Sequence, residues 1–396
     1  MSSITTTETF SSLPSHPEVT APKAYGKINY IPANHTPIPS SHNFHLPSLS
    51  EFSDSRTVLL HDLRPLPTIS QLPFAKNHTS LSTHNFTALM HPSALHSVPY
   101  SYASWKDSNL LTQVYIPETE SLVRQITGAR KVITESLLLR SVLWTEEDAL
   151  AMHAGHGHNN QHNPSNPTAQ QQQQQQQQAE ANKLEADSAQ NHHHQQQPST
   201  TSFPQFIGFT PSSGGASPAP KAHQDYTPAG ARVHIRKYHP ALAAAAHDIL
   251  ASEEASSESA LAPRWALYSI WRPLKRVKRD ALALGDARSF SEQDYVPVLI
   301  RTPSLGTEGE GQGKGVEVHE CEAWVARGPG AGREHRWWWV SEQRPEEVLV
   351  IGLFDSAREA DGVAAGGAMH CSVEVEGQGE EVEARESLEL RCLAVW

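Results

Sequence analysis

Cysteine is scarce in this sequence: Cys321, Cys371 and Cys392 are the only three in 396 residues, and no two of them form a C-x-x-C pair. An odd number at such spacing excludes a disulfide framework and offers no thiolate zinc site, so an intracellular, reducing compartment, the cytoplasm, is expected. Positive charge is also short. With 31 Lys and Arg against 43 Asp and Glu the formal net charge is −12, which argues against a nucleic acid partner, because tracking phosphates needs a basic face. The one basic cluster, Arg272, Lys275, Arg276, Lys278 and Arg279, reads as the solvated edge of a strand and turn. Long apolar runs are missing: nowhere do about eighteen apolar residues follow one another, and the first residues carry neither a basic stretch nor an apolar one. No membrane span and no signal peptide are expected. The glycine-rich stretches at 301–315 and 327–334 match neither G-x-G-x-x-G nor G-x-x-x-x-G-K-[ST] between a strand and a helix, which excludes a phosphate cradle.

What is present is enough apolar material, 38% of the chain, to bury a sizeable core. Residues 1–22 are rich in Ser and Thr and read as a disordered N-terminus. Residues 23–150 read as an α/β portion packed on the core. Its clearest unit is a helix behind Pro117, with Leu122, Val123 and Ile126 at helical spacing, ended by Gly128 before the β-branched start of a strand at 131–134. Residues 151–220 form a His- and Gln-rich insertion, with glutamines from Gln170 to Gln178 and histidines from His192 to His194; such a segment is too polar to offset its ordering entropy. Residues 221–396 open on a helix over about 229–252 and continue as short aromatic and β-branched runs separated by Gly, Pro or charged residues. The fold class is therefore mainly β with flanking helices, a barrel or jelly roll.

His223-x-Asp225 raises the question of a metal site, although in a chain with 23 histidines roughly one such pair arises by chance. A non-haem iron centre needs two histidines and a carboxylate on one face of an octahedron, leaving three positions open. The second histidine must come from a late strand, and His370 begins one. Arg385-x-Ser387 follows on the last strand. That order has a chemical meaning: 2-oxoglutarate chelates iron through its keto acid and leaves its far carboxylate to an arginine fork and a hydroxyl. Each element alone has an ordinary alternative, His370 as a satisfied barrel histidine and Arg385 as a surface strand residue.

The runs HQDYT, WRPLKRVKRDALALGDARS, HRWWWVSEQRPEEVLVIGLFDS and RESLELRCLAVW resemble signature blocks of the fungal secondary-metabolism hydroxylase/desaturase family, the family of gibberellin desaturase, and are similar to the cephamycin methoxylation component. The resemblance implies a double-stranded β-helix (jelly-roll) core of the iron/2-oxoglutarate oxygenase type. It also implies Fe(II) held by His223, Asp225 and His370, with 2-oxoglutarate as co-substrate on Arg385 and Ser387. O2 and a small-molecule substrate, a secondary metabolite oxidised at a C–H bond by hydroxylation or desaturation, complete the expected reaction. Trp271, Arg272, Trp337 and Trp339 are expected near the substrate or behind the site, with Trp338 turned the other way by strand alternation. Ser269, Ala281 and Val340 depart from the family pattern, where Asn, Pro and an aromatic are expected; these departures keep open a non-catalytic jelly-roll accessory or binding protein.

Overall fold

The computed structural model describes residues 23–64, 79–143, 203–209, 216–255, 263–306, 317–378 and 383–396. The N-terminus and nearly all of the His- and Gln-rich insertion expected above lie outside them. Two sheets carry the fold. The larger runs β1 (Ala24–Tyr30), β2 (Asp54–Asp62), β11 (Trp337–Trp339), β8 (Ala281–Gly285), β13 (His370–Val375), β6 (His223–Gln224), β10 (Val318–Ala326) and β9 (Tyr295–Pro303). The smaller runs β3 (Phe86–Met90), β12 (Glu347–Asp355), β7 (Trp265–Pro273), β14 (Ser387–Val395), β4 (Lys131–Arg140) and β5 (Gln205–Ile207). Most neighbours are antiparallel, and they join strands far apart in the chain. This is the jelly-roll expected from the sequence.

Strand alternation divides the smaller sheet into two faces. On β7 and β12, Leu267, Trp271, Leu349, Ile351 and Leu353 enter the core shared with the larger sheet, where they meet Leu60, Cys371 and Val373. Their neighbours Ala266, Tyr268, Ile270, Val348 and Val350, with Leu388, Leu390 and Cys392 of β14, enter a second core on the outer face. That outer face is covered by α1 (Ile116–Thr127), which has Pro117 in its first turn and ends at Gly128 in the left-handed region, φ 75°. Leu122 and Val123 are its buried contacts, as their helical spacing requires.

Two expectations differ from the structure. Residues 23–150 are not a portion packed on the core from outside: β1 and β2 belong to the larger sheet, and β3 and β4 to the smaller. Pairing partners across a jelly roll are non-local, so order along the chain does not separate them. The helix expected over 229–252 is two helices, α2 (Pro228–Lys237) and α3 (Pro240–Ala255), because Pro240 lacks the amide hydrogen that a continuous helix needs and disfavours helical backbone at His239. The basic cluster is matched by acids: Lys275 lies 2.9 Å from Glu386, Arg279 2.9 Å from Asp280, and Arg276 pairs with Glu342. No helix among the described residues is long and apolar enough to cross a membrane.

Burial pushes His91, His319, His335 and His370 from the ordinary 6.5 down to about 4. The unfolded chain takes up protons at these positions from about pH 6.5, whereas the folded chain resists them until about pH 4. Their contribution to stability is therefore fully present above pH 6.5 and is lost as the pH falls toward 4. The urea midpoint is expected to decline across that window, and a midpoint flat from pH 7 to 4.5 would contradict it.

Candidate active site

The first two metal-ligand candidates sit where β6 ends. His223 pairs across the ladder with Val325 of β10 and with His370 of β13, so the two histidines are direct cross-strand neighbours. Asp225 follows β6, and Thr227 then caps α2 by accepting from the Gly230 amide at 2.9 Å. Gly230 is required there: a Cβ would lie 1.9 Å from the Glu322 carbonyl oxygen. Gln224, pointing away from the site between His223 and Asp225, donates to the Tyr226 and Ala364 carbonyls at 3.1 and 2.9 Å. It thereby ties β6 to the loop that leads into His370. Gly367 in that loop makes room for it, since a Cβ would meet the Gln224 amide at 2.1 Å.

The ligating atoms of His223, Asp225 and His370 lie within 4.8 Å of one another. Asp225 Oδ1 is 3.4 Å from His223 Nε2 and 3.7 Å from His370 Nε2. Each ring is held from behind: His223 Nδ1 is 2.7 Å from the Lys221 carbonyl oxygen and His370 Nδ1 3.0 Å from that of Ala368. A carbonyl can only accept, so both Nδ1 atoms donate and, in the neutral ring, both Nε2 atoms present lone pairs. His370 is neutral at pH 7, since burial and then His223 bring it to about 4. Burial would raise the Asp225 carboxyl, but the Arg391 guanidinium beside it leads the opposing causes, which hold it well below the usual carboxylate range. Two imidazole nitrogens and a carboxylate oxygen thus converge on one point, the donor set that a divalent cation takes.

A narrow cleft opens beside this cluster, lined by His223 and His370 together with Arg140, Ser269, Trp271, Cys371, Arg385 and Glu389 among others. Arg385 donates to the Asp280 carbonyl oxygen and lies with its guanidinium 5.1 Å from the centre of the Trp271 ring. Its Nε and the Oγ of Ser387 are buried and find no hydrogen-bond partner among the described residues. Burial, then the neighbouring Arg140, lowers the Arg385 guanidinium to about 9. A buried cation with unused hydrogen-bonding capacity, facing a cleft next to a metal cluster, fits a carboxylate ligand, whereas Ser387 is buried on the same strand and does not line the cleft. Burial pushes the Cys371 thiol up, so it stays protonated and is no competing ligand.

Of the other expected residues, only Trp271 reaches the cleft. Arg272 does not, because adjacent strand residues face opposite ways. It is fully buried in the outer core, 5.6 and 5.3 Å from the Trp105 and Tyr115 ring centres, and it donates to the carbonyls of Pro345 at 2.6 Å and His91 at 2.8 Å. Arg272→Met is accordingly expected to lower unfolding free energy by about 3 kcal/mol while leaving metal affinity unchanged, as checked by urea melts and Co(II) titration. Trp337 and Trp339 share a buried face in the inter-sheet core, where Trp337 Nε1 donates to Tyr30 at 2.7 Å. Trp338 faces the other way, against His61 and His84. None of these three lines the cleft.

The sequence reading missed Arg140, Glu389 and Arg391. Glu389 accepts from Arg140 Nη2 at 3.1 Å and from Arg391 Nε at 2.8 Å, and Arg391 Nη2 lies 2.9 Å from Asp225 Oδ2. Burial alone would raise Glu389, but Arg391 and Arg140 outweigh it and hold it at about 2. The signal was available: Ser387, Glu389 and Arg391 alternate along one strand, and period two puts all three on one face. Ser269, which departs from the family pattern, lines the cleft and donates to Glu389 at 3.3 Å.

A jelly roll whose strand ends bring together two histidines, an aspartate and a buried arginine has the donor set of a non-haem iron oxygenase. The comparisons narrow this class. A family model described as an oxidoreductase/YMDC permease-like domain matches residues 186–395. Oxidoreductase chry3 of Gibberella zeae is 36% identical over 407 residues, covering 94% of this chain and 98% of its own length. The gibberellin cluster GA4 desaturase of Gibberella fujikuroi is 30% identical over 80% of this chain and 83% of its own. The solved structure of the iron and alpha-ketoglutarate-dependent endoperoxidase NvfI matches with a TM-score of 0.51 at 17% identity, covering 94% of this chain and 98% of that one, a likeness of fold. The chain belongs to the family of these fungal hydroxylase/desaturase oxidoreductases.

Proposed function

We propose that this chain is an Fe(II)/2-oxoglutarate-dependent oxygenase that hydroxylates or desaturates a C–H bond of a small secondary metabolite. The observation that carries the reading is the convergence of His223 Nε2, Asp225 Oδ1 and His370 Nε2 with both histidine Nδ1 atoms donating away from the cluster. Iron and 2-oxoglutarate, when bound, supply the oxidising power by splitting O2 as the co-substrate is decarboxylated to succinate. The protein's part is geometry and dryness. His223 and His370, fixed as cross-strand neighbours, and Asp225 supply three ligands on one side. Arg385 and Ser387 take the far carboxylate of the co-substrate, for which a planar guanidinium fork is suited. Trp271, against the Arg385 guanidinium, keeps that cation in place and screens it from water.

The competing reading, a non-catalytic jelly-roll protein, is disfavoured by a donor set intact despite the departures at Ser269, Ala281 and Val340. The three cysteines are free and buried, which supports the cytoplasmic location expected from their number. The test is anaerobic reconstitution with Fe(II), followed by measurement of bound iron and of succinate formed from 2-oxoglutarate on admitting O2. One iron per chain and 2-oxoglutarate-dependent succinate are expected; a protein that binds no divalent metal would overturn the reading.

A further inference from the structure

Asp225 has two oxygens, and the structure treats them differently. Oδ1 faces the two histidine Nε2 atoms at 3.4 and 3.7 Å, whereas Oδ2 is turned to Arg391 Nη2 at 2.9 Å. We infer that Arg391 is a positioning residue for the metal centre: by holding Oδ2 it presents Asp225 through a single oxygen, so that the carboxylate takes one coordination position rather than two. The inference rests on the metal-binding reading given above. Its consequence is a site with three positions left for co-substrate and O2, where a carboxylate binding through both oxygens would leave two.

Arg391 is itself braced. Glu389 Oε1 accepts from its Nε at 2.8 Å, Glu389 Oε2 accepts from Arg140 Nη2 at 3.1 Å, and Arg140 Nη1 donates to the Ser217 carbonyl oxygen at 2.5 Å. A continuous run of alternating charges thus passes from β4 through β14 to the aspartate, across a sheet that cannot shift without breaking its ladder. Burial opposes the Arg391 charge, and Asp225 and Glu389 outweigh it. The contact with Asp225 is an ion pair without hydrogen-bond alignment, so what Arg391 supplies is direction of charge at one oxygen, a role in which a lysine can substitute in part. Partners behind a metal ligand of this kind typically change metal affinity by about 10- to 100-fold.

The test titrates the metal-free protein anaerobically with Co(II), following both the dissociation constant and the visible absorption of the bound ion. Arg391→Met is expected to weaken Co(II) binding by about 10- to 100-fold and to alter the spectrum toward higher coordination, with Arg391→Lys recovering part of both. Because Arg391→Met leaves two buried carboxylates facing one another, the paired variant Arg391→Met/Glu389→Gln, which removes one charge of each sign, is measured beside it with thermal melts to verify folding. The same weakening and spectral change in a folded paired variant support the assignment. Wild-type affinity and spectrum in either folded variant overturn it, as does weaker binding with an unchanged spectrum. Failure of the wild-type protein to bind Co(II) would instead defeat the metal-site reading on which the assignment rests, so the two failures are distinct.

Discussion

Replacing His370 with alanine is expected to weaken divalent-metal binding by more than about 100-fold, beyond the range seen for residues that only support a ligand. The argument is geometric. Among the described residues, His370 is the ligand candidate that β13 contributes to the cluster, and its Nε2 is aimed by the hydrogen bond from Nδ1 to the Ala368 carbonyl. Without it, His223 and Asp225 offer two donors from the end of β6, and two donors do not define one face of an octahedron. The ladder around position 370 is made by backbone, which the substitution leaves in place, so the variant should fold. Calorimetric titration of the metal-free variant beside wild type checks both points; wild-type affinity in the variant would remove His370 from the site.

Arg385→Met is expected to weaken 2-oxoglutarate binding to the metal-loaded protein by more than about 30-fold, the effect of about 2 kcal/mol lost with one member of a buried charge pair. Arg385→Lys should recover little of it, because a point charge does not reproduce the planar fork. Metal affinity should stay at the wild-type value. The same substitution should leave the metal-free protein as stable as wild type or more so, since Arg385 is a buried cation with its Nε unpaired, set close to Arg140. A residue kept for packing would behave in the opposite way: Arg385→Met would lower the melting temperature and spare co-substrate affinity.

The elements legible in the sequence were those written by local pattern. β7, β9, β10, β12, β13 and β14 coincide with aromatic and β-branched runs, and α1 with a capped apolar periodicity. β6, two residues long, has no pattern to read and was reached only through the chemistry of His223 and Asp225. β8, Ala281–Gly285, is built largely of alanine and leucine, residues without strand preference, and its burial between β11 and β13 made it a strand. Among the proposed site residues, His223, Asp225, His370, Arg385 and Ser387 could be chosen in the sequence from what iron and a dicarboxylate require. Arg140 did not, because nothing local says that β4 will lie beside β14; only the ladder from Ser387 to Arg140 reveals it. Arg272 was misplaced by a rule that was at hand, since Trp271 and Arg272 are consecutive on one strand and cannot face the same cleft.

The position of β14 bears on how the protein folds. It is the last strand among the described residues, yet it lies inside the smaller sheet with β7 on one side and β4 on the other. Until it is inserted, β7 and β4 each present an open edge of unpaired amides and carbonyls, the surface on which other chains can add. Closing that gap joins segments far apart in sequence, which makes it a slow event. Arg385, Ser387, Glu389 and Arg391 all arrive with that strand. During synthesis, then, His223 and Asp225 emerge long before Arg391 and the residues proposed to hold the co-substrate, and these buried charges come together as the strand docks and closes the sheet.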